Sequence, residues 1–374
     1  MRCSCSVLAF LVGTVSGHGS LVTPRPRNSI DYLAKVNTQS CANITGDTCE
    51  NGQASFWYSQ GCFIGCPECD HISGRRQTDL CGLGKKATVN DNKFLTVLRN
   101  VTAFAPSDIY RHNPWRAPGS APVADACGYA GGTPWGPNGP EAGDYVNTTY
   151  AHHGMAGTDL PAMPTGTSWT IGAEATVSWN VRNNHGGGYQ YRLCPAGEPL
   201  TEACFQRHPL EFVQDKQAIL FANGSTHSIP GTFVSEGTLP VGSTWSMMAI
   251  PQSGLGPRCL PGPNDDNATT PNACMYWEGR ANNNGHVEGP CVPCPETAGS
   301  DCSRCGNFVH GETAYPEPAP GVRGAPIEGM LDVVKVPADL PAGEYVLGWR
   351  YDCEATAQVW SNCADVTLVP PAAE

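Results

Sequence analysis

Two histidines, His18 and His185, are the residues of this chain best suited to bind a metal together. His18 follows a leader, MRCSCSVLAFLVGTVSG, whose last small residues fit cleavage by signal peptidase. Cleavage there would make His18 the first residue of the mature chain, so its α-amino nitrogen and its imidazole Nδ1 could chelate one metal ion. The imidazole of His185 would complete a T-shaped set of nitrogen ligands, which suits copper by ligand type and geometry.

A second pair of histidines competes for the role of the other ligand. His152 and His153 are adjacent in TTYAHHGMAG, and neighbouring side chains of an extended segment point to opposite faces. Both therefore cannot easily reach one metal. His185 lies instead in a polar turn, RNNHGGG, whose glycines allow close backbone approach. We predict His18 and His185 as the ligands of one copper ion per chain, and keep the adjacent pair as a loop or substrate-surface candidate.

Short β-strands must position these ligands. The chain contains 43 Gly and 33 Pro, and only 15% of its residues are charged. Helical periodicity is confined to about 91–104. Alternating or β-branched runs bounded by turn residues predict strands at 170–181, 188–193, 243–250, 345–351 and 364–369. The expected fold is all-β, an antiparallel immunoglobulin- or fibronectin-III-like β-sandwich with long disulfide-rich loop insertions.

One domain is expected after the leader. We predict a signal peptide at 1–17, a single sandwich domain at 18–369 with insertions at about 105–163 and 257–324, and a short tail at 370–374. No Ser/Thr/Pro-rich linker divides the chain. The apolar part of the leader is shorter than the ~20 residues that cross a bilayer, and no other stretch is long and uncharged enough. We therefore expect no membrane partner.

Cysteines and glycosylation sequons indicate an oxidising, secretory route and an extracellular location. All but two of the 19 cysteines follow His18, and sequons are present at Asn43, Asn100, Asn147, Asn223 and Asn267. The paired C-x-x-C motifs between Cys291 and Cys305 would suggest zinc in a cytosolic protein. The secretory setting favours disulfides for them instead.

The net charge of −12 and the pI near 5.2 argue against nucleic acid and anionic lipid as partners, because both need clustered Lys and Arg. Neutral polymers remain open. The second insertion carries carboxylates, but nothing in the sequence fixes two of them at the spacing that glycoside hydrolysis needs. These carboxylates are Asp265, Asp266, Glu288 and Asp301.

Four segments resemble one family. The run WNVRNNHGGGYQYRLCPAGEPLTEACFQRHPLEF resembles a stretch of the lytic polysaccharide monooxygenases and chitin-binding type-4 domains, most closely the insect, oomycete and algal type. There an N-H-x-G turn leads into a strand ending in L-C-P and then into C-F-x-x-H-P-L. HGSLVTPRPRNS is similar to the family's mature amino terminus, LPAGEYVLGWRYDCEATAQVWSNCADVTLV to its final hairpin, and GCFIGCPECD to its cysteine-rich loop.

The resemblance implies a secreted copper-dependent monooxygenase that cleaves a β-linked polysaccharide such as chitin or cellulose, with an external electron donor. His18 matches the bidentate ligand and His185 the second ligand. Gln358 falls where related enzymes keep a Gln or Glu that hydrogen-bonds the oxygen species near copper. Trp360 falls beside the axial face of copper, where the family usually has Tyr or Phe.

An indole cannot ligate as a phenolate can, so Trp360 keeps two alternatives open. One is a glycan-binding matrix protein without catalysis, and the other is a copper-binding relative used for metal handling. The oligomeric state expected by default is a monomer.

Cysteine spacing and loop aromatics complete the sequence predictions. Cys194 with Cys204, and Cys353 with Cys363, are each ten residues apart, and we expect each pair to close a local disulfide beside a ligand-bearing turn.

Aromatic residues in loop-rich stretches are candidates for stacking on sugar rings, although we expect about half of them in the core. These candidates are Trp57, Tyr58, Trp115 and Trp135, followed by Tyr145 and Tyr150.

Overall fold

The computed structural model describes the chain in segments, most of which belong to a β-sandwich. The described residues are 18–29, 56–60, 115, 117–132, 145, 147–148, 150–183, 187–221, 224–229, 231–248, 257–259, 274–277, 286–287, 327–353 and 358–372. In chain order the strands among them are β1 (His18–Thr23), β2 (Trp57–Gln60), β3 (Tyr129–Ala130), β4 (Ser168–Thr170), β5 (Glu174–Asn183), β6 (Gly188–Pro195), β7 (His208–Pro209), β8 (Glu211–Phe212), β9 (Ala218–Phe221), β10 (Thr226–Ser228), β11 (Phe233–Val234), β12 (Trp245–Met247), β13 (Pro257–Cys259), β14 (Cys274–Trp277), β15 (His286–Val287), β16 (Ile327–Lys335), β17 (Gly343–Asp352) and β18 (Gln358–Val369).

Helical structure in the described segments is limited to short pieces. They comprise one α-helical turn, α1 (Glu202–Phe205), and two 3-10 turns, Arg27–Ser29 and Gly157–Asp159. No helix in this part of the chain is long and apolar enough to cross a membrane. The predicted helix at 91–104 lies outside the described residues.

Two antiparallel sheets form the sandwich. The six-stranded sheet has the order β1-β5-β16-β9-β10, with β8 paired to β16. The nine-stranded sheet has the order β11-β12-β6-β17-β18-β2-β3, with β7 on β6 and with β4 running parallel to β18. Strands β13, β14 and β15 make a separate small sheet within the second predicted insertion. The prediction of an all-β antiparallel sandwich is confirmed.

The core lies between the two sheets because their strands alternate in polarity. Trp179 of β5 packs against Trp349 and Tyr351 of β17, with ring centroids 4.9 and 5.1 Å apart. We call the side of the nine-stranded sheet that faces this core its inner face. Successive side chains of a strand point to opposite faces, so Arg350 of β17 lies on the outer face, where it is fully buried under loops.

One predicted disulfide is present and the other is wrong. Cys194 is bonded to Cys204, with their Cα atoms 5.5 Å apart. Cys363 is bonded to Cys127, 236 positions away, and not to Cys353. The β17–β18 register explains this, because Cys363 lies opposite Gly348. Cys353 is five positions further along the hairpin, or roughly 16 Å at the rise of a strand, well beyond the reach of a disulfide.

Candidate functional site

Five strand ends meet at one end of the sandwich, which we call the His18 end. Here β1 and β18 begin, β5 ends, β6 begins and β17 ends. In the nine-stranded sheet, Asp352 lies opposite Gly188 on one side and Val359 on the other. The short connection from β5 to β6 joins the two sheets at this end. Residues far apart in sequence are therefore gathered around one chain terminus of the predicted mature protein.

The backbone of His18 is paired directly with that of Asn183, the last residue of β5. His185 follows only two positions later in sequence, between the end of β5 and the start of β6. The side chain of His18 and residues 184–186 lie outside the described part of the structure. The strand pairing places the start of β1 beside the end of β5, two positions before His185 in sequence.

The first residues of β1 also contact β18. The backbone N–H of Leu21 donates to Asn362 Oδ1 at 2.8 Å, and both strands begin at the His18 end. Three positions back along each strand are His18 and Val359. His18 is thus level with the segment between Gln358 and Trp360. Both of those side chains share the face of Asn362 because strands repeat every two residues.

Gly19 fits against the aromatic core where no larger residue could. A Cβ at this position would lie 2.9 Å from the Trp179 ring and 3.1 Å from the Trp349 ring. The residue after His18 therefore rests directly on the aromatic layer between the sheets. This close approach fixes how far β1 can slide along β5.

Trp360 is fully buried and stacks on Tyr58, its cross-strand partner in β2. The two ring centroids are 4.3 Å apart and the ring planes are inclined by 27°. Gly132 makes room for Tyr58, since a Cβ there would lie 2.1 Å from the ring. Gln358 is 8% exposed at the beginning of β18. Sequence reasoning missed Tyr58 as the partner of Trp360, because no local signal shows that β2 pairs with β18.

Four of the predicted sugar-stacking residues are buried, so that part of the prediction is wrong. Trp57, Tyr58 and Trp115 are each at most 2% exposed. Trp57 and Tyr58 belong to β2, which is itself a strand of the nine-stranded sheet, and Tyr58 lies in the core between the sheets. Trp115 packs against Trp245 of β12, with ring centroids 6.5 Å apart. Tyr145 is also buried, Tyr150 is half exposed, and Trp135 lies outside the described residues.

The adjacent histidines His152 and His153 lie in different environments. His152 is exposed, whereas His153 is buried against Tyr145, with ring centroids 6.4 Å apart. A Cβ on Gly131 would lie 2.4 Å from His153 Nε2, so the imidazole occupies the space above that glycine. The backbone N–H of His153 donates to Asn147 Oδ1 at 2.8 Å. His153 thus packs inside its loop rather than on a surface.

A buried charged cluster lies on the outer face of the sheet behind this end. Arg350 donates to both carboxylate oxygens of Asp352, at 2.7 and 3.1 Å, and to Glu202 at 2.8 Å. Arg192 also contacts Glu202. Burial alone would raise the pKa of Glu202, but the two guanidinium charges lower it to about 2.

Asp352 extends this cluster into a loop. It accepts a hydrogen bond from the backbone N–H of Gly119 at 2.8 Å, and Arg350 donates to the carbonyl oxygen of Ala121 at 2.9 Å. The cluster therefore fixes the 117–121 loop to the end of β17. Among the described side chains, no group of three or more His, Cys, Asp or Glu is placed to hold a metal ion.

Several solved structures are similar to this chain at low identity. A chitin-binding domain from Burkholderia pseudomallei is 12% identical over 95% of this chain and 100% of that chain, with a TM-score of 0.31. An AA10 lytic polysaccharide monooxygenase from Streptomyces lividans is 11% identical over 94% and 99%, with a TM-score of 0.26. An AA15 lytic polysaccharide monooxygenase from Thermobia domestica, in its Cu(I) state, is 12% identical over 61% and 74%, with a TM-score of 0.23.

No protein-family model matches the chain, and no curated protein matches it. The low TM-scores of the similar structures carry no information about the residues at the His18 end.

Proposed function

We propose that this chain is a secreted copper-dependent monooxygenase that cleaves a β-linked polysaccharide such as chitin or cellulose. The observation that supports it best is the pairing of His18 with Asn183. That pairing puts the expected mature terminus next to the last residue of β5, two positions before His185 in sequence, which supports a shared site. Two histidines that are 167 positions apart in sequence would otherwise have no reason to meet.

The amino group and imidazole of His18 and the imidazole of His185 would hold the copper ion. This all-nitrogen donor set fits copper by ligand type. When bound, copper supplies one-electron redox chemistry toward dioxygen or hydrogen peroxide, with electrons from an external donor. The amine must lose its proton to bind, so copper affinity should fall in acid.

Gln358 and Trp360 serve this site in different ways. The Gln358 amide can both donate and accept hydrogen bonds, and its position on the β18 face toward β1 suits it to orient a small oxygen species or a sugar hydroxyl. The Trp360 indole offers only a donor. Stacked on Tyr58, it would give the site an apolar floor.

The surface chemistry favours a neutral polymer as substrate. A net charge of −12 would repel an anionic polysaccharide. Among the described aromatic candidates, only Tyr150 is substantially exposed, and with Trp135 it stays a candidate for contact with sugar rings.

The nature of Trp360 favours a second candidate function, glycan binding without oxidation. An indole offers a metal no ligand atom comparable to a phenolate oxygen, and Trp360 is fully buried and stacked on Tyr58. A role in copper handling shares the same ligands and is distinguished by the absence of glycan binding.

Product analysis separates these functions. Secreted protein loaded with copper is incubated with ascorbate and with chitin or cellulose, and soluble products are examined by mass spectrometry for aldonic or 4-keto oligosaccharides. We expect oxidised products from the wild type and none from His185→Ala. Tight binding to insoluble glycan without oxidised products would support the binding function. A tight copper site with neither property would support metal handling.

A further inference from the structure

We propose that Arg27 and Asp365 are positioning residues that fix the place of the amino terminus at the His18 end. Arg27 follows β1 and Asp365 lies in β18, so the pair joins segments 338 positions apart. The proposal rests on the proposed function for its consequence at copper, but its structural part can be tested without copper.

Regular strand pairing alone does not hold β1 in register. Its pairing with β5 is interrupted between His18 and Gly19 and again between Leu21 and Thr23. A slip of one residue would turn every side chain of a strand to the opposite face. A strand with an interrupted ladder therefore needs other contacts to define its position.

Side-chain amides from both sheets supply the first of these contacts. The N–H of Ser20 donates to Asn180 Oδ1 of β5 at 2.9 Å. The N–H of Leu21 donates to Asn362 Oδ1 of β18 at 2.8 Å. Strand β1 is thus held between the two sheets by one asparagine from each.

The Arg27–Asp365 ion pair is the strongest anchor in this segment. The Arg27 Nε–H and Nη2–H donate to the two Asp365 carboxylate oxygens at 2.9 and 2.6 Å. The side chains are only 9% and 15% exposed. A planar, two-point contact of this kind fixes orientation as well as distance.

The segment at 160–165 encloses this pair. Arg27 Nη1 donates to the carbonyl oxygen of Leu160 at 3.3 Å, and the N–H of Met163 donates to Asp365 Oδ2 at 2.8 Å. Thr165 Oγ1 donates to the Asp365 carbonyl oxygen at 2.8 Å. Asp365 is therefore bonded to two segments at once, the one that follows β1 and the one at 160–165.

Strand β18 carries both the anchors and the residues of the candidate site. Asn362 and Asp365 hold β1 and the residues that follow it, and Gln358 and Trp360 lie at the beginning of the same strand. A rigid strand sets the distance between the anchors and the site. Loosening the anchor should therefore displace the terminal amine relative to Gln358 without altering any residue near the copper.

The test uses Asp365→Asn, which keeps the size and one acceptor but removes the charge, and Arg27→Lys, which keeps the charge but removes the two-point contact. Glu174→Gln is the matched control, because it breaks the Lys216–Glu174 pair, whose side chains are each 47% exposed. Copper affinity is measured by calorimetry, the copper environment by electron paramagnetic resonance, and backbone opening by hydrogen exchange of peptides covering 18–29.

We expect both anchor variants to exchange faster at 18–29 than the wild type while β16 and β17 stay protected. Their copper affinity should fall about tenfold, as for other residues that orient metal ligands, with an altered resonance spectrum. Glu174→Gln should match the wild type. Folded anchor variants with wild-type exchange at 18–29 would overturn the proposal.

The outcomes also separate this proposal from the proposed function. If the anchor variants exchange faster but the wild type binds no copper at its terminus, the anchor is supported and the copper site is rejected. Faster exchange with unchanged copper affinity and spectrum would show that Arg27 and Asp365 do not position the ligand.

Discussion

The two faces of the nine-stranded sheet are equally buried, yet different forces hold them. The inner face packs aromatic rings against the six-stranded sheet, and its tyrosines donate to a buried carboxylate, Asp332 of β16. The outer face carries two disulfides and a cluster of two arginines and two carboxylates. The inner face depends on packing, and the outer face depends on disulfides and ion pairs.

The same contrast determines the charge of the buried carboxylates. Burial raises the pKa of Asp332 to about 6, although hydrogen bonds from Gln217, Tyr189 and Tyr191 oppose the rise. On the outer face, the charges of Arg192 and Arg350 lower the pKa of Glu202 to about 2 despite its burial. Neutral donors do not offset the loss of solvation, whereas adjacent guanidinium groups do.

The largest effect should come from the disulfide that closes the longer loop. Cys127–Cys363 spans 236 positions and Cys194–Cys204 spans ten. Replacing both cysteines of the first pair by serine should cost about 5 kcal/mol of unfolding free energy, and the second pair about 3 kcal/mol, on a chain-entropy estimate. Denaturant unfolding of the two double variants measures the difference. Equal losses would mean that loop length does not govern the stability of the outer face.

Removing one arginine of the outer cluster should have the next largest effect. Arg350→Met leaves Asp352 buried without its positive partner, which costs about 3 to 5 kcal/mol. Lys216→Met is the control, because its ion pair with Glu174 is exposed and should contribute little. Denaturant midpoints compare the two variants. An Arg350→Met protein as stable as the control would contradict the account of the outer face.

Replacing the inner carboxylate by a neutral amide should raise, rather than lower, the free energy of unfolding at neutral pH. Because the folded-state pKa of Asp332 is raised from 3.8 to about 6, its contribution to stability is present below pH 4 and is lost as pH rises through 6. The loss approaches about 3 kcal/mol at pH 8. Asp332→Asn should remove it, so the variant should gain stability relative to the wild type as pH rises from 5 to 8.

A matched variant tests whether this gain belongs to Asp332. The pKa of Asp125 is also raised to about 6, mainly by burial, so Asp125→Asn should remove a separate part of the same pH dependence. Glu202 should contribute the reverse trend, since its stabilisation is lost as pH falls from 4.5 toward 2. An unchanged pH profile in Asp332→Asn would show that its carboxyl does not titrate in this range.

Sequence patterns predicted the inner face better than the outer face. Strands β5, β6 and β17 could be read from alternation because one side of each meets the apolar core. The local Cys194–Cys204 bond followed from spacing. The Cys127–Cys363 bond and the Arg27–Asp365 pair could not be found, because each depends on where a distant loop folds back.

The sequence named candidate site residues, which stay predictions, but it did not reveal their surroundings. His18, Gln358 and Trp360 were recognisable from the residues around them, and the structure places their backbones at one end of the sandwich. The burial of Trp57 and Trp115 was not predictable, since loop aromatics have the same sequence signature whether they face solvent or the sheet.

The most direct test of the copper site is a copper titration of secreted protein whose terminus is confirmed by mass spectrometry to be His18. Three proteins are compared by calorimetry and electron paramagnetic resonance: the wild type, His185→Ala, and a form with one glycine added before His18. We predict one tightly bound copper ion per wild-type chain, and weaker binding with a changed spectrum in both others. Unchanged affinity and spectrum in the glycine-extended form would contradict a ligand role for the terminal amine.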